Sequence, residues 1–268
     1  MNGGAQELLA PVTDIARLAG REILAIYRSG EAATRYKADT SPLTVADLRA
    51  HRLIVDSLLQ LTPEIPVLSE ESAAIPFAQR CRWARYWLVD PLDGTKEFLS
   101  RNGQFTVNIA LIEGHAPTLG VVHVPVTETS YQGLPAVGAW RRLHAEAGAT
   151  PIRVSARSAT PVRVVGSRSH RGDSLDGFLA RLGPYELLPV GSSLKFCMVA
   201  EGAADVYPRL GPTSEWDTGA AHAVVLGAGG RVSTLEGMPL RYNTREELLN
   251  PFFVVSGPQD QDWLALLR

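Results

Sequence analysis

The chain has 268 residues, 45% hydrophobic and 20% charged, with a net charge of −2 at pH 7. That length allows one large domain or two small ones with a substantial core, and the near-neutral balance gives no electrostatic reason to expect nucleic-acid or membrane binding. Cys81 and Cys197 form no metal or redox spacing, no signal peptide opens the chain, and no apolar run is long enough to span a bilayer. The expectation is therefore a soluble protein of a reducing, intracellular compartment.

From about Glu7 to Tyr27, apolar side chains at Leu8, Val12, Ile15 and Ile23 keep a helical period and predict an amphipathic helix. A polar stretch containing Lys37 ends in the turn signal Ser41-Pro42. A second helix is predicted from about Thr44 to Leu61. It opens with Thr44-Val45-Ala46-Asp47, the spacing of a capping box, and closes at Thr62-Pro63. Ile65 to Leu68 reads as a short strand running into Ser69-Glu70-Glu71. Tyr86 to Val89 repeats the pattern, a short apolar strand ending abruptly in Asp90-Pro91-Leu92-Asp93-Gly94-Thr95. Phe105 to Ile112 alternates as a strand, Glu113-Gly114 turns, Thr118 to Val124 is the hairpin partner, and strand and turn continue from Tyr131 to Arg142.

Small, turn-forming residues at 147–151 mark a boundary between an N-terminal α+β subdomain, 1–149, and a C-terminal α/β subdomain, 150–268. In the second half a strand over Val162–Val165 ends in Gly166-Ser167-Arg168-Ser169-His170, and a helix follows over Ser174–Leu182. A strand over Leu187–Val190 ends in Gly191-Ser192-Ser193 before a helix over Leu194–Ala200. A strand over Ala204–Tyr207 and a helix of small residues over Thr218–Leu226 complete the pattern. Strands that run into glycine and serine ahead of a helix suit ligand binding at the strands' C-terminal ends.

Acids at two strand ends are costly to bury unless a cation compensates them. Asp90 and Asp93, with the carbonyl of Leu92 between them, offer three oxygen ligands. A set of oxygens without histidine or cysteine points to magnesium rather than zinc. The backbone N–H groups of Gly94 and Thr95 suit a phosphate that such a metal also bridges. A capped turn explains the same letters, with Asp93, Asp47 and Asp217 each serving as a helix cap. The spacing of three, with Pro91 inside it, differs from the D-x-D-G-T of haloacid-dehalogenase-type phosphatases and argues against an aspartyl-phosphate. The segment from Arg153 to Arg171 holds five arginines and no acid. It reads either as a solvated basic face or as a subsite for a further phosphate.

Taken in order, Ser69-Glu70-Glu71, Asp90 to Thr95 and Trp216-Asp217 resemble the metal-binding signatures of the inositol monophosphatase superfamily of magnesium-dependent, lithium-sensitive phosphatases. Ser41 to Asp47, Pro66 to Glu71, Tyr86 to Ile112, Ser167 to His170, Gly191 to Cys197 and Tyr207-Pro208-Arg209 resemble the CysQ-type 3'(2'),5'-bisphosphate nucleotidases, over about residues 8 to 256. Gly219 departs from that pattern, where an alanine is usual, and residues 72 to 82 and 132 to 152 match loosely.

The resemblance implies a layered αβαβα sugar-phosphatase fold and a metal-activated water that hydrolyses adenosine 3',5'-bisphosphate to AMP and phosphate, in support of sulfate assimilation. It implies two or three Mg2+ ions held by Glu70, Asp90, the carbonyl of Leu92, Asp93 and Asp217. Asp47 and Thr95 then orient and deprotonate the water, with Glu71 beside it. Contacts to the substrate fall to Lys37, Gly94, Thr95, Ser167, Arg168, His170, Gly191, Ser192, Ser193, Lys195, Arg209 and Asp217. The implied partner is a small bisphosphorylated adenosine nucleotide, not a nucleic-acid polymer. The implied location is the cytoplasm, where the family also allows a peripheral place on the inner membrane, although no amphipathic anchor is evident. The rival readings are an inositol-1-phosphate or fructose-1,6-bisphosphate phosphatase with the same metal core, and a non-catalytic nucleotide sensor.

Overall fold

The computed structural model describes residues 4–30, 34–36, 42–167, 173–257 and 261–267. Helix α1 (Ala5–Ser29) leads to two short antiparallel strands, β1 (Thr34–Tyr36) and β2 (Pro42–Thr44), and then to α2 (Val45–Leu61). After β3 (Val67–Ser69) come a single 3-10 turn over Glu70–Ser72 and the short helix α3 (Phe77–Arg80). Next are β4 (Arg85–Asp93), the short helix α4 (Thr95–Leu99), and the meander β5 (Thr106–Glu113), β6 (Ala116–Val124), β7 (Thr129–Leu134), β8 (Gly138–Leu143) and β9 (Ala149–Pro151). Strands β3 to β9 form one seven-stranded sheet in sequence order, antiparallel except for the β3–β4 pair.

The remainder alternates: β10 (Val162–Ser167), α5 (Asp173–Leu182), β11 (Tyr185–Val190), α6 (Leu194–Ala200), β12 (Val206–Arg209), α7 (Glu215–Gly227), β13 (Arg231–Thr234) and β14 (Phe253–Ser256). These five strands form a second sheet in the order β11-β10-β12-β14-β13, parallel as far as β12 and antiparallel beyond it.

The central strands are apolar on both faces because both faces are covered. Along β4 and β5, Trp87, Val89, Ile109 and Leu111 turn to a core shared with α1 and α2, including Val12, Ile23, Ile54 and Leu58. Leu88, Ala110 and Ile112 turn to the opposite core, where α6, α7 and the second sheet contribute Phe196, Val224, Tyr207 and Phe253. On the far side of the second sheet, Phe178 and Leu179 of α5 pack with Val164, Val206, Val254 and Trp263. The resulting order of helix, sheet, helix, sheet, helix is the αβαβα layering expected. Contact between α7 and the first sheet is very close: a Cβ on Gly120 of β6 would lie 2.1 Å from the carbonyl oxygen of Ala220. Only glycine on the strand and small residues on the helix allow that approach.

Three expectations about element bounds are corrected. Strand β4 does not end at Val89 but continues to Asp93, and its pairing with β5 shifts register between Asp90 and Asp93. Pro91 has no N–H for the ladder, so an irregularity there keeps both acids within the strand. Helix α7 starts at Glu215 rather than Thr218, which makes Ser214 the N-cap and places Asp217 inside the first turn. Strand β12 lies at Val206–Arg209, two residues later than expected, while Ala204 and Asp205 lead into it.

Candidate active site

The site is built at the end of β4. Asp90 is buried and its Oδ1 accepts the Leu92 N–H at 3.0 Å, which fixes the Pro91–Leu92 turn. Asp93 Oδ2 accepts the Ser193 N–H at 2.6 Å and Asn108 Nδ2 at 3.3 Å, so this carboxylate joins β4, β5 and the loop before α6. Gly94 follows with φ of 93° and lets the chain turn sharply into α4. A Cβ there would also crowd the Gln104 carbonyl at 3.2 Å and Ser192 at 3.3 Å.

Two helix starts face this strand end. At α2, Thr44 and Asp47 close a capping box: the Thr44 N–H and hydroxyl donate to Asp47 Oδ2 at 2.8 and 2.6 Å. The other oxygen, Oδ1, accepts the Thr95 hydroxyl at 3.4 Å, and Leu92 O lies at the same distance from that hydroxyl. Asp47 is therefore both a cap and a partner of Thr95, the dual role that its sequence context left open. At α7, Asp217 Oδ2 accepts the Ser214 N–H at 2.9 Å in a second capping box.

A cavity of about 280 Å³ opens between these elements. Its lining includes Glu70, Asp93, Gly94, Thr95 and Asp217 together with Gly191, Ser192, Ser193, Lys195 and Arg209. Ser192 has φ of 48°, and its buried hydroxyl has no hydrogen-bond partner among the described residues. Lys195 is buried, donates to the Ser192 carbonyl at 2.5 Å, and sits 5.7 Å from the centre of the Tyr207 ring. Burial lowers its ammonium pKa to about 8, against the pull of Asp93 and Glu97. Arg209 folds back on its own loop: Nε donates to Gly211 O at 3.1 Å and Nη2 to Pro212 O at 2.5 Å.

Electrostatics tests whether these residues fit a cation. Burial, then the neighbouring Glu70, Asp93, Asp217 and Asp47, raises the Asp90 carboxyl well above its ordinary range. Burial also raises Asp93, with Lys195 opposing it, and raises Asp217 along with Asp93 and Glu70. Several buried carboxylates that destabilise one another's charge make a strong site for a hard divalent ion. The donors are all oxygens, as Mg2+ prefers. Among the described residues, no three acidic, histidine or cysteine side chains already converge as a cage for one ion. Asp47, Asp93 and Asp217 each spend one oxygen on a backbone N–H instead. The donor set fits the group, with the carboxylates held apart by the protein's own donors.

Ten of the residues singled out in the sequence line the cavity: Glu70, Asp93, Gly94, Thr95, Gly191, Ser192, Ser193, Lys195, Arg209 and Asp217. Asp47, Asp90 and Leu92 are buried around it, joined through the bonds above. Glu71 follows Glu70 in the 3-10 turn but does not line the cavity. Ser167 ends β10 in register with Val190, next to Gly191. Lys37, Arg168 and His170 lie outside the described residues. Within the arginine-rich segment, Arg163 is structural: it pairs with buried Asp205 at 2.7 Å and donates to Gly202 O at 2.8 Å. Sequence reasoning missed Thr106 and Asn108, whose side chains meet Ser193 at 2.8 Å. Two polar residues on alternate positions of an otherwise apolar, buried strand were the available signal. It also missed Glu97, Thr213 and Thr218 on the cavity wall.

Comparison with known proteins gives the family and the fold. The sequence model of the inositol monophosphatase family matches residues 5–265. The 3'(2'),5'-bisphosphate nucleotidase CysQ of Salmonella typhimurium is 49% identical over 251 residues, covering 93% of this chain and 99% of that protein. The CysQ nucleotidase of Haemophilus influenzae is 36% identical over 268 residues, covering 98% of this chain and 97% of its own. The crystal structure of CysQ from Bacteroides thetaiotaomicron, a bacterial member of the inositol monophosphatase family, has a TM-score of 0.82 at 41% identity, covering 95% of this chain and 98% of that one. Inositol monophosphatase from Anabaena shares the fold, with a TM-score of 0.74 at 23% identity over 98% of this chain and 94% of its own. The chain belongs to the inositol monophosphatase family.

Proposed function

We propose that this chain is a 3'(2'),5'-bisphosphate nucleotidase that hydrolyses adenosine 3',5'-bisphosphate to AMP and phosphate. Membership of a family of metal-dependent phosphatases supports the reaction, and the similarity to CysQ proteins supports the substrate. The observation that carries the reading is one cavity lined both by the acids Glu70, Asp93 and Asp217 and by the cations Lys96, Lys195 and Arg209. Such a cavity suits a substrate with two phosphates, one at the acids with their metal and one at the cations.

In this reading Glu70, Asp90, Asp93, Asp217 and the carbonyl of Leu92 hold the metal, taken here to be Mg2+. When bound, it supplies neutralisation of phosphate oxygens, a more acidic water and stabilisation of the leaving oxygen. The chain's own residues do the rest. The Thr95 hydroxyl donates to Asp47 Oδ1 and is thereby oriented to accept a hydrogen bond from the attacking water. The proton passes by that route towards Asp47, whose carboxyl is raised by burial and so is a better base. Glu71 is assigned a contact with the water network. Ser192 and the backbone of Gly191 to Ser193 face the nucleotide, while Lys195 and Arg209 take the second phosphate. Lys37, Ser167, Arg168 and His170 complete the substrate-binding assignment. The site falls where residues 1–149 meet residues 150–268, taken as two subdomains of a cytoplasmic enzyme.

The test is phosphate release by the purified protein with Mg2+, compared across adenosine 3',5'-bisphosphate, inositol 1-phosphate and fructose 1,6-bisphosphate. The highest kcat/KM is expected for the nucleotide. A preference for either sugar phosphate contradicts the assignment.

A further inference from the structure

Asp217 has two tasks. One oxygen closes the cap of α7 at Ser214, while the residue also lines the cavity among the acids assigned to the metal. A cation that draws on this carboxylate makes it a poorer acceptor for the Ser214 N–H. The first turn of α7 then needs a hold of its own.

The segment from Tyr242 to Asn250 supplies one. The Asn250 side-chain amide donates to Ser214 O at 2.8 Å, to the Thr218 hydroxyl at 3.2 Å and to the Thr213 hydroxyl at 3.3 Å. Its backbone N–H donates to Thr213 O at 2.8 Å. Thr213 and Thr218 line the cavity before and after Asp217, so a single buried amide ties both flanks of that residue. Beside it, both carboxylate oxygens of Glu215 accept the Asn243 N–H, at 2.8 and 2.9 Å. Asn243 in turn exchanges two bonds of 2.6 Å with the buried Arg80: Arg80 Nη1 donates to Asn243 Oδ1, and Asn243 Nδ2 donates to Arg80 O. Most of these bonds gather on the first turn of α7. Further along, the Tyr242 hydroxyl meets His222 at 2.9 Å, and the rest of the helix is held by apolar packing.

We propose that Asn250, helped by the Glu215–Asn243 clasp, is the positioning residue for Asp217. It fixes the helix start independently of the capping box, so that Asp217 can serve the cation without loss of the turn that carries it. The proposal rests on the reading of Asp217 as a metal-binding residue. Partners that orient a metal ligand are commonly worth 10–100-fold in metal affinity, whereas a bracket of purely structural value changes only stability.

The two are separated by titrating MgCl2 into metal-free parent and Asn250→Ala proteins while following thermal unfolding, with phosphate release measured in parallel. The Mg2+ concentration giving half the thermal shift is expected to rise about tenfold in Asn250→Ala. The Mg2+ requirement for activity should rise by a similar factor, with most of kcat recovered at saturating Mg2+. A variant that melts earlier without metal but keeps the parent's Mg2+ midpoint within twofold overturns the proposal alone. A parent with no Mg2+ shift overturns the metal reading and the proposal with it. If Asn250→Ala does not fold, Glu215→Gln carries the same test. Its amide retains one acceptor for Asn243, so a rise of a few-fold in the midpoint is expected and an unchanged midpoint contradicts the proposal.

Discussion

Asp93 ties the site together at the scale of single residues. Its carboxylate holds the Ser193 N–H and Asn108, and it feels the charge of Lys195. Replacing it by asparagine keeps the shape but removes the charge, and Oδ or Nδ must then meet the Ser193 N–H. Asp93→Asn is expected to lower kcat/KM by more than about a hundredfold, since even the outer partners of a metal ligand are worth 10–100-fold. Biological function preserved in that variant without turnover would favour the nucleotide-sensor reading. In the same cavity, Arg209→Glu is expected to raise KM for adenosine 3',5'-bisphosphate far more than for inositol 1-phosphate, which has no second phosphate to lose. Equal effects on both substrates would move Arg209 from binding to holding its own loop, through Gly211 and Pro212. The acids were legible in the sequence because each stands next to a strand end or a helix start. Thr213 and Thr218 were not, because nothing in their neighbours' types shows that the cavity passes between them.

Helix α7 shows what an element gains from its small residues. It lies so close on β6 that Gly120 touches the helix backbone. Gly120→Ala is expected to destabilise the protein by about 1–3 kcal/mol through overpacking, measured by urea denaturation. A change near zero would mean that the helix can move away at little cost. The start of this helix was misread in the sequence for a physical reason. A helix buried on most sides has no clear polar face, so its period is weak, and Glu215 and Asp217 look like residues outside it. The strand β4 was cut short for a related reason. An acid usually marks the end of an apolar strand, but here the acids stay in the strand because the site itself surrounds them.

At the scale of the whole molecule, buried histidines link stability to pH. Burial lowers His123 and His222 to about 3, from an ordinary 6.5. The unfolded chain takes up protons near pH 6.5 while the folded chain does not, so this contribution to stability is complete above 6.5 and is lost as pH falls towards 3. Between pH 7 and 5.5, each such histidine costs about 1 kcal/mol. His222 bonds to the Tyr242 hydroxyl at 2.9 Å and does not itself line the cavity. His222→Gln should therefore lose about 1 kcal/mol less than the parent over that interval in urea denaturation. The buried acids pull the other way in metal-free protein, which is why parent and variant are compared in the same buffer. Identical pH slopes would contradict the assignment of a neutral, buried His222. The layering of two sheets and three helical levels was legible only through the family resemblance. Hydrophobic period alone identified most strands and helices but gave no order of strands within the second sheet, where β10 pairs with both β11 and β12.

The central claim is that the cavity lined by these acids and cations acts on a bisphosphorylated nucleotide. Measuring kcat/KM with Mg2+ for adenosine 3',5'-bisphosphate against inositol 1-phosphate and fructose 1,6-bisphosphate tests it most directly. The account predicts a preference over inositol 1-phosphate of at least about tenfold, the scale of one charge-assisted phosphate contact, and a higher kcat/KM than for fructose 1,6-bisphosphate. A protein that releases no phosphate from the nucleotide, or that prefers either sugar phosphate, contradicts it.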